Sequence, residues 1–148
     1  MTELPRMNRN SEFLAAKLRR AHDPHVRPLN ELVERWRQEG HQIPYADPDS
    51  GGVHSMILFL HESPGPRASA AHGSGVVSTD NNDPSAERFW RLSHEAGLPR
   101  DGYISWNAVP WYVSATARNV NATDADGRPP CRTCTSSSRC WRTFAWWW

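Results

Sequence analysis

The sequence predicts an α/β fold, a partial three-layer α/β/α arrangement on a parallel central sheet, with N-terminal helices and a C-terminal part that is missing or irregular. Three observations carry that prediction. Val53 to Leu60 contains the apolar run Met56-Ile-Leu-Phe-Leu60, Asp83-Pro84 opens a helical pattern, and Tyr103 to Val109 reads as a second strand closed by Pro110. Strand, helix, strand is a βαβ unit, whose strands run parallel.

Each element has a local reason. Asn10 or Ser11 can cap a helix through Phe13, Leu14 and Leu18, interrupted by Pro24 and Pro28. Pro28 suits the first position of a second helix, with Leu29, Leu32, Val33 and Trp36 on one stripe and Gly40 placed to end it. His41 to Gly52 holds Pro44, Pro48 and the Gly51-Gly52 pair, which marks a turn-rich link. The run from Val53 to Leu60 does not alternate, so it reads as a strand buried on both faces. It empties into His61-Glu62-Ser63-Pro64-Gly65-Pro66, and the loop continues to Pro84. Asp83 is the N-cap and Pro84 the first residue of a helix carrying Ala86, Phe89, Trp90, Leu92 and Ala96, which stops at Gly97. Two parallel strands do not make a stable sheet, and no further strand or helix is legible after Asn107.

Composition narrows the function classes. The 148 residues hold 17 basic and 16 acidic side chains, which excludes a histone-like polycation or an acidic tail protein. Among the basic residues only Lys17 is lysine. Arginine's planar fork suits phosphates, but a GC-rich coding sequence gives the same bias without function. No apolar run reaches the ~18–20 residues of a membrane span, and Met1 to Asn10 shows no signal-like apolar stretch. The expectation is a soluble cytoplasmic protein with no membrane partner.

Leu58-Phe-Leu-His-Glu-Ser-Pro-Gly-Pro66, then Ala71-His-Gly73, Glu87-Arg-Phe-Trp-Arg-Leu92, Ala96-Gly-Leu98 and Trp106-Asn-Ala-Val-Pro110 occur in that order. Together they resemble the uracil-DNA glycosylase superfamily over about residues 44–113. The resemblance implies a DNA repair hydrolase that cleaves the N-glycosidic bond between uracil and deoxyribose, with uracil-containing DNA as partner and neither metal nor organic cofactor. It divides the chain into a helical segment 1–40, an incomplete glycosylase-like domain 41–124 and an irregular tail 125–148.

Residue by residue, the resemblance makes Asn107 the reader of the base. An amide at a strand end donates to the carbonyl at position 4 of uracil and accepts from the neighbouring ring N–H, while cytosine presents the reverse pattern. The other role open to Asn107 is to tie down the turn before Pro110. Glu62 is the only carboxylate of the first-motif loop and Ser63 precedes Pro64, so one of these would serve the water or the sugar cation. Glu62 can equally be a solvated loop residue. Pro64, Gly65 and Pro66 would let the backbone approach DNA phosphates, and Arg67 could contact one. Val76 or Val77 stands near the place where many members stack an aromatic on the base.

The chain departs from the family in three places. His61 replaces the usual glycine, valine replaces the aromatic, and no histidine follows His94, so the C-terminal His-Pro-Ser-like loop is absent. All three cysteines and four of eight tryptophans fall in residues 131–148, and no acid follows Asp126. Cys131, Cys134 and Cys140 lack a fourth ligand for a closed zinc site. A frameshift or truncation in a GC-rich gene would give such a tail. Two other functions remain open, a non-catalytic nucleic-acid-binding remnant and another nucleotide-binding α/β enzyme.

Overall fold

The computed structural model describes residues 4–113. Helices and short parallel strands are mixed, with the strands in two small sheets, a partial α/β fold. The tail read from residue 125 onward, with Cys131, Cys134 and Cys140, lies outside the described residues.

α1 spans Ser11–Arg19, and Asn10 is its cap, its side-chain oxygen accepting from the N–H groups of Glu12 at 2.9 Å and Phe13 at 3.1 Å. α2 spans Arg27–Gln38 with Pro28 in its first turn, where a missing N–H costs nothing. Val33 is its fully buried apolar residue, and Gly40 follows the helix at a φ of 98°. α3 spans Pro84–Glu95, capped by Asp83, which accepts from the Ala86 N–H at 2.9 Å. Gly97, at a φ of 65°, ends it. Among the described residues no helix is long and apolar enough to cross a membrane.

The strands differ more from expectation. β2 is Ile57–His61 and β4 is Tyr103–Asn107, paired in parallel from Ile57–Tyr103 through His61–Asn107. The expected parallel βαβ pair is therefore present, but its first strand starts four residues late. Val53 lies instead in a 3-10 turn, Gly52–His54. The Gly51-Gly52 pair forces that turn. A side chain on Gly51 would collide with the Asp101 carbonyl, and one on Gly52 with that of His25.

Nor is β2 buried on both faces. Ile57, Leu58 and Leu60 are 41%, 41% and 61% exposed, whereas four of the five β4 residues are buried. Among the described residues β2 pairs with β4 alone and so occupies a sheet edge. Phe59, half-buried, meets Phe89 of α3 and Tyr103 of β4 in edge-to-face contacts, with centroids 4.8 and 5.6 Å apart.

A second parallel pair lies where only turns and loop were expected. β1, Tyr45–Ala46, pairs with β3, Val76–Val77. Two-residue strands are too short for periodicity to register. Around them sits the apolar core of Val26, Val33, Ile43, Ala46 and Val76, all fully buried.

Asn30 of α2 anchors β1 to this core. Its amide donates to the Ala21 carbonyl at 2.7 Å, and its oxygen accepts from the Ala46 N–H at 2.8 Å. Replacing Asn30 with Ala leaves a buried N–H and a buried C=O unpaired, at about 1–3 kcal/mol each. The expected result is a lower urea midpoint for Asn30→Ala, read by circular dichroism, and an unchanged midpoint would refute the anchoring role.

Candidate functional site

The carboxyl ends of the two parallel pairs are built very differently. In open α/β sheets that edge is where ligands bind, because loops leaving adjacent strands diverge there.

At the end of β2 and β4 the ladder continues into the loops. The Ala108 N–H donates to the His61 carbonyl at 2.8 Å, and the Val109 N–H to the Glu62 carbonyl at 2.9 Å. Asn107 is in register with His61, and Glu62 is the next residue on that neighbouring chain. Asn107 is 4% exposed and Glu62 is exposed. Ser63 is half-buried, Pro64 is buried, and Gly65 and Pro66 are exposed on the loop beyond. The loop folds back on itself through Ala68 and Ser69 N–H groups, both donating to the Gly65 carbonyl at 3.0 Å, while Arg67 is exposed.

His61 occupies the strand end in register with Asn107, so their side chains lie on the same face of the sheet. Its ring stands edge-on to Phe89 at 6.1 Å, and burial lowers its pKa, which favours the neutral imidazole. Val76 and Val77 are not at this edge. Both are buried strand residues of the other pair, Val76 fully and Val77 to 8% exposure, facing the core rather than a base-sized opening.

The second edge, after β1 and β3, is closed by ions. β1 runs into Asp47-Pro48-Asp49 and β3 into Ser78-Thr79-Asp80. Lys17 of α1 projects its ammonium among all three carboxylates, 2.6 Å from Asp80, 2.9 Å from Asp49 and 3.1 Å from Asp47. It also donates to the Ser78 hydroxyl at 3.1 Å. Arg100, in the 3-10 turn Arg100–Gly102 before β4, grips Asp80 with two N–H groups at 3.0 and 2.9 Å and reaches Asp47 at 3.2 Å. Arg20 closes the rim on Asp49 at 2.6 Å. The three carboxylates thus face three cations.

Burial by itself would lower the Lys17 pKa, but the fields of Asp47, Asp80 and Asp49 outweigh it and raise the value. Burial would likewise raise Asp80, but the Arg100 hydrogen bonds and the Lys17 charge hold it below the usual carboxylate range. Asp49 is lowered in the same way, against its own burial, chiefly by Lys17.

Oxygens of Asp47, Asp49 and Asp80 lie within 4.8 Å of one another, a grouping that could ligate a cation. The Lys17 ammonium already occupies the centre of that grouping, and a second positive charge there would be repelled.

This network was missed in the sequence. A signal existed, since Lys17 falls on the Phe13–Leu14–Leu18 stripe, i+4 from Phe13, where a solvated lysine has no reason to be. Its ammonium stands 5.3 Å from the Phe13 ring centroid.

No family model, curated protein or solved structure matches the chain.

Two outcomes are expected from the network. Lys17→Met removes the central cation from the buried Asp47 and Asp80 and the half-buried Asp49, leaving Arg100 and Arg20 alone to pair them, and should destabilise the fold by about 3–5 kcal/mol, measured by urea unfolding at neutral pH. An unchanged midpoint would show that the network is dispensable. The second concerns pH. Asp80 and Asp49 lie below their ordinary 3.8, so the stability they add is present above that pH and lost as pH falls through their folded values. Lys17 lies above its ordinary 10.5, so its share is present below that pH and lost as pH rises through its folded value. Urea midpoints across the pH scale should show a plateau bounded by acid and alkaline losses, and no acid loss would contradict the assignment.

Proposed function

We propose that the chain is a cytoplasmic DNA N-glycosylase of the uracil-DNA glycosylase kind. The observation that supports it is that Glu62 and Asn107 lie one register position apart on neighbouring chains at the carboxyl edge of a parallel pair. The same reading takes the two strand pairs as parts of one central sheet in a three-layer fold. The Gly51 N–H, which donates to the Tyr103 carbonyl at 3.1 Å, supports that by linking the segment after β1 to the start of β4.

In this mechanism uracil is flipped out of the stack, and its edge meets Asn107. The amide donates to O4 and accepts from N3–H. Water attacks C1′ of the deoxyribose, the C1′–N1 bond breaks, and its electron pair leaves on N1. Glu62 takes the proton of the water and stabilises the oxocarbenium character that develops on the sugar, with Ser63 as the other candidate. Of the loop residues assigned to the DNA backbone, Gly65 and Pro66 are exposed and would approach it, while the buried Pro64 fixes the start of that stretch. The burial of Val76 and Val77 leaves base stacking without an aromatic platform, and the described residues include no counterpart of the His-Pro-Ser-like loop. The expected activity is therefore slow.

The test is release of free uracil from uracil-containing single- and double-stranded oligonucleotides by the full chain. Slow release is expected, reduced in Asn107→Ala by about 5- to 150-fold, the kinetic equivalent of the ~1–3 kcal/mol of a bidentate base contact. Glu62→Gln should slow release while leaving DNA binding intact. Salt-dependent DNA binding without any base release would replace this reading with the binding remnant. Tight mononucleotide binding with no response to uracil in DNA would replace it with another nucleotide-binding enzyme.

A further inference from the structure

Between the two strand pairs lies a crevice lined by Asp47, Ser50, Val77, Thr79, Arg100, Tyr103 and Ser105, with room of about 10 Å³. That is about one water-sized sphere. Two of its wall residues are polar and unsatisfied. The hydroxyl oxygens of Thr79, 7% exposed, and Ser105, 8% exposed, have no hydrogen-bond partner among the described residues. Thr79 lies two residues beyond β3 and Ser105 is the middle residue of β4, so the two hydroxyls come from segments of different strand pairs.

A buried hydroxyl without a partner costs about 1–3 kcal/mol. Among the described residues Asn8 Oδ1, His41 Nε2 and Ser55 Oγ are also buried without a partner, but none of those three residues lines this crevice, whereas Thr79 and Ser105 share it. The available space admits one heavy atom. Charge around it is balanced, because Asp47, Asp49 and Asp80 are matched by Lys17, Arg100 and Arg20. The wall offers both a carboxylate acceptor, Asp47, and a guanidinium donor, Arg100. The chemistry required of the occupant is thus neutral, one atom in size, and able both to donate and to accept.

We propose that this crevice is a binding site for a single ordered water molecule, which bridges the Thr79 and Ser105 hydroxyls and joins the two parallel pairs. Such a water performs between the two strand pairs the task that a strand-to-strand hydrogen bond performs inside a sheet. It is a structural ligand, set back from the open edge where Glu62 and Asn107 stand, and it does not depend on the glycosylase reading.

The experiment is a high-resolution crystal structure of the full chain, repeated for Thr79→Val and Ser105→Ala and for crystals soaked in thallium(I). The expected result is one solvent peak within hydrogen-bond distance of both hydroxyls in the parent chain, lost or displaced in each variant, with no anomalous signal from thallium. An empty crevice in the parent chain would overturn the proposal. So would hydroxyls turned onto protein acceptors. A thallium peak between the hydroxyls would overturn it too, by making the occupant a monovalent cation. Both substitutions nearly conserve side-chain volume, so the variants should fold. Should one fail to, the parent and thallium structures still decide the matter.

Discussion

A lysine ammonium buried at 1% exposure cannot remain charged unless the fold surrounds it with carboxylates, and that demand organises this molecule. Lys17 comes from α1, Asp47 and Asp49 from the turn after β1, Asp80 from the turn after β3, and Arg100 from the turn before β4. Four segments far apart in the chain are therefore committed to one point. The desolvation of each ion is costly alone, and only their joint arrival offsets it, so the elements are held in one arrangement rather than several.

The same network sorts the two carboxyl edges of the molecule. Asp47 and Asp80 leave β1 and β3 at the place where an α/β protein normally keeps its ligand, but their oxygens are consumed by Lys17 and Arg100. At the end of β2 and β4 the backbone ladder simply runs on through Ala108 and Val109. That leaves Glu62 exposed just past His61, which is in register with the buried Asn107. Ion pairing fills the first edge, and among the described residues the second carries no such network.

Much of the helical framework could be read directly. Asn10, Pro28, Asp83 and Gly97 act on the backbone within one turn of themselves, and each cap or stop falls where its chemistry places it. The parallel β2–β4 pair was legible for the same reason, since apolar strand patterns on either side of a capped helix leave few topologies. β1 and β3 were not, being two residues each. Val53 to Leu60 misled because an apolar run reports what a segment can bury, not what stands opposite it. Met56, 93% exposed, and Leu60 at 61% have no covering layer among the described residues.

The candidate site divides along the same line. Sequence alone determined that one strand empties into the Glu62 loop and that a second carries Asn107 near its end, reading those ends at Leu60 and Val109 where the structure has His61 and Asn107. It also determined which residues cap and terminate the helices. Tertiary structure decided that Glu62 and Asn107 leave neighbouring strands, that Val76 and Val77 face the core instead, and that Lys17 is an internal cation rather than a solvated one. Those outcomes depend on register and on which carboxylates converge. Both are set by contacts between residues some 30 to 60 positions apart, such as Lys17 with Asp47 and Asp80. Such pairings leave no periodic trace in either segment, because each partner satisfies its own local preferences whether or not the other is present.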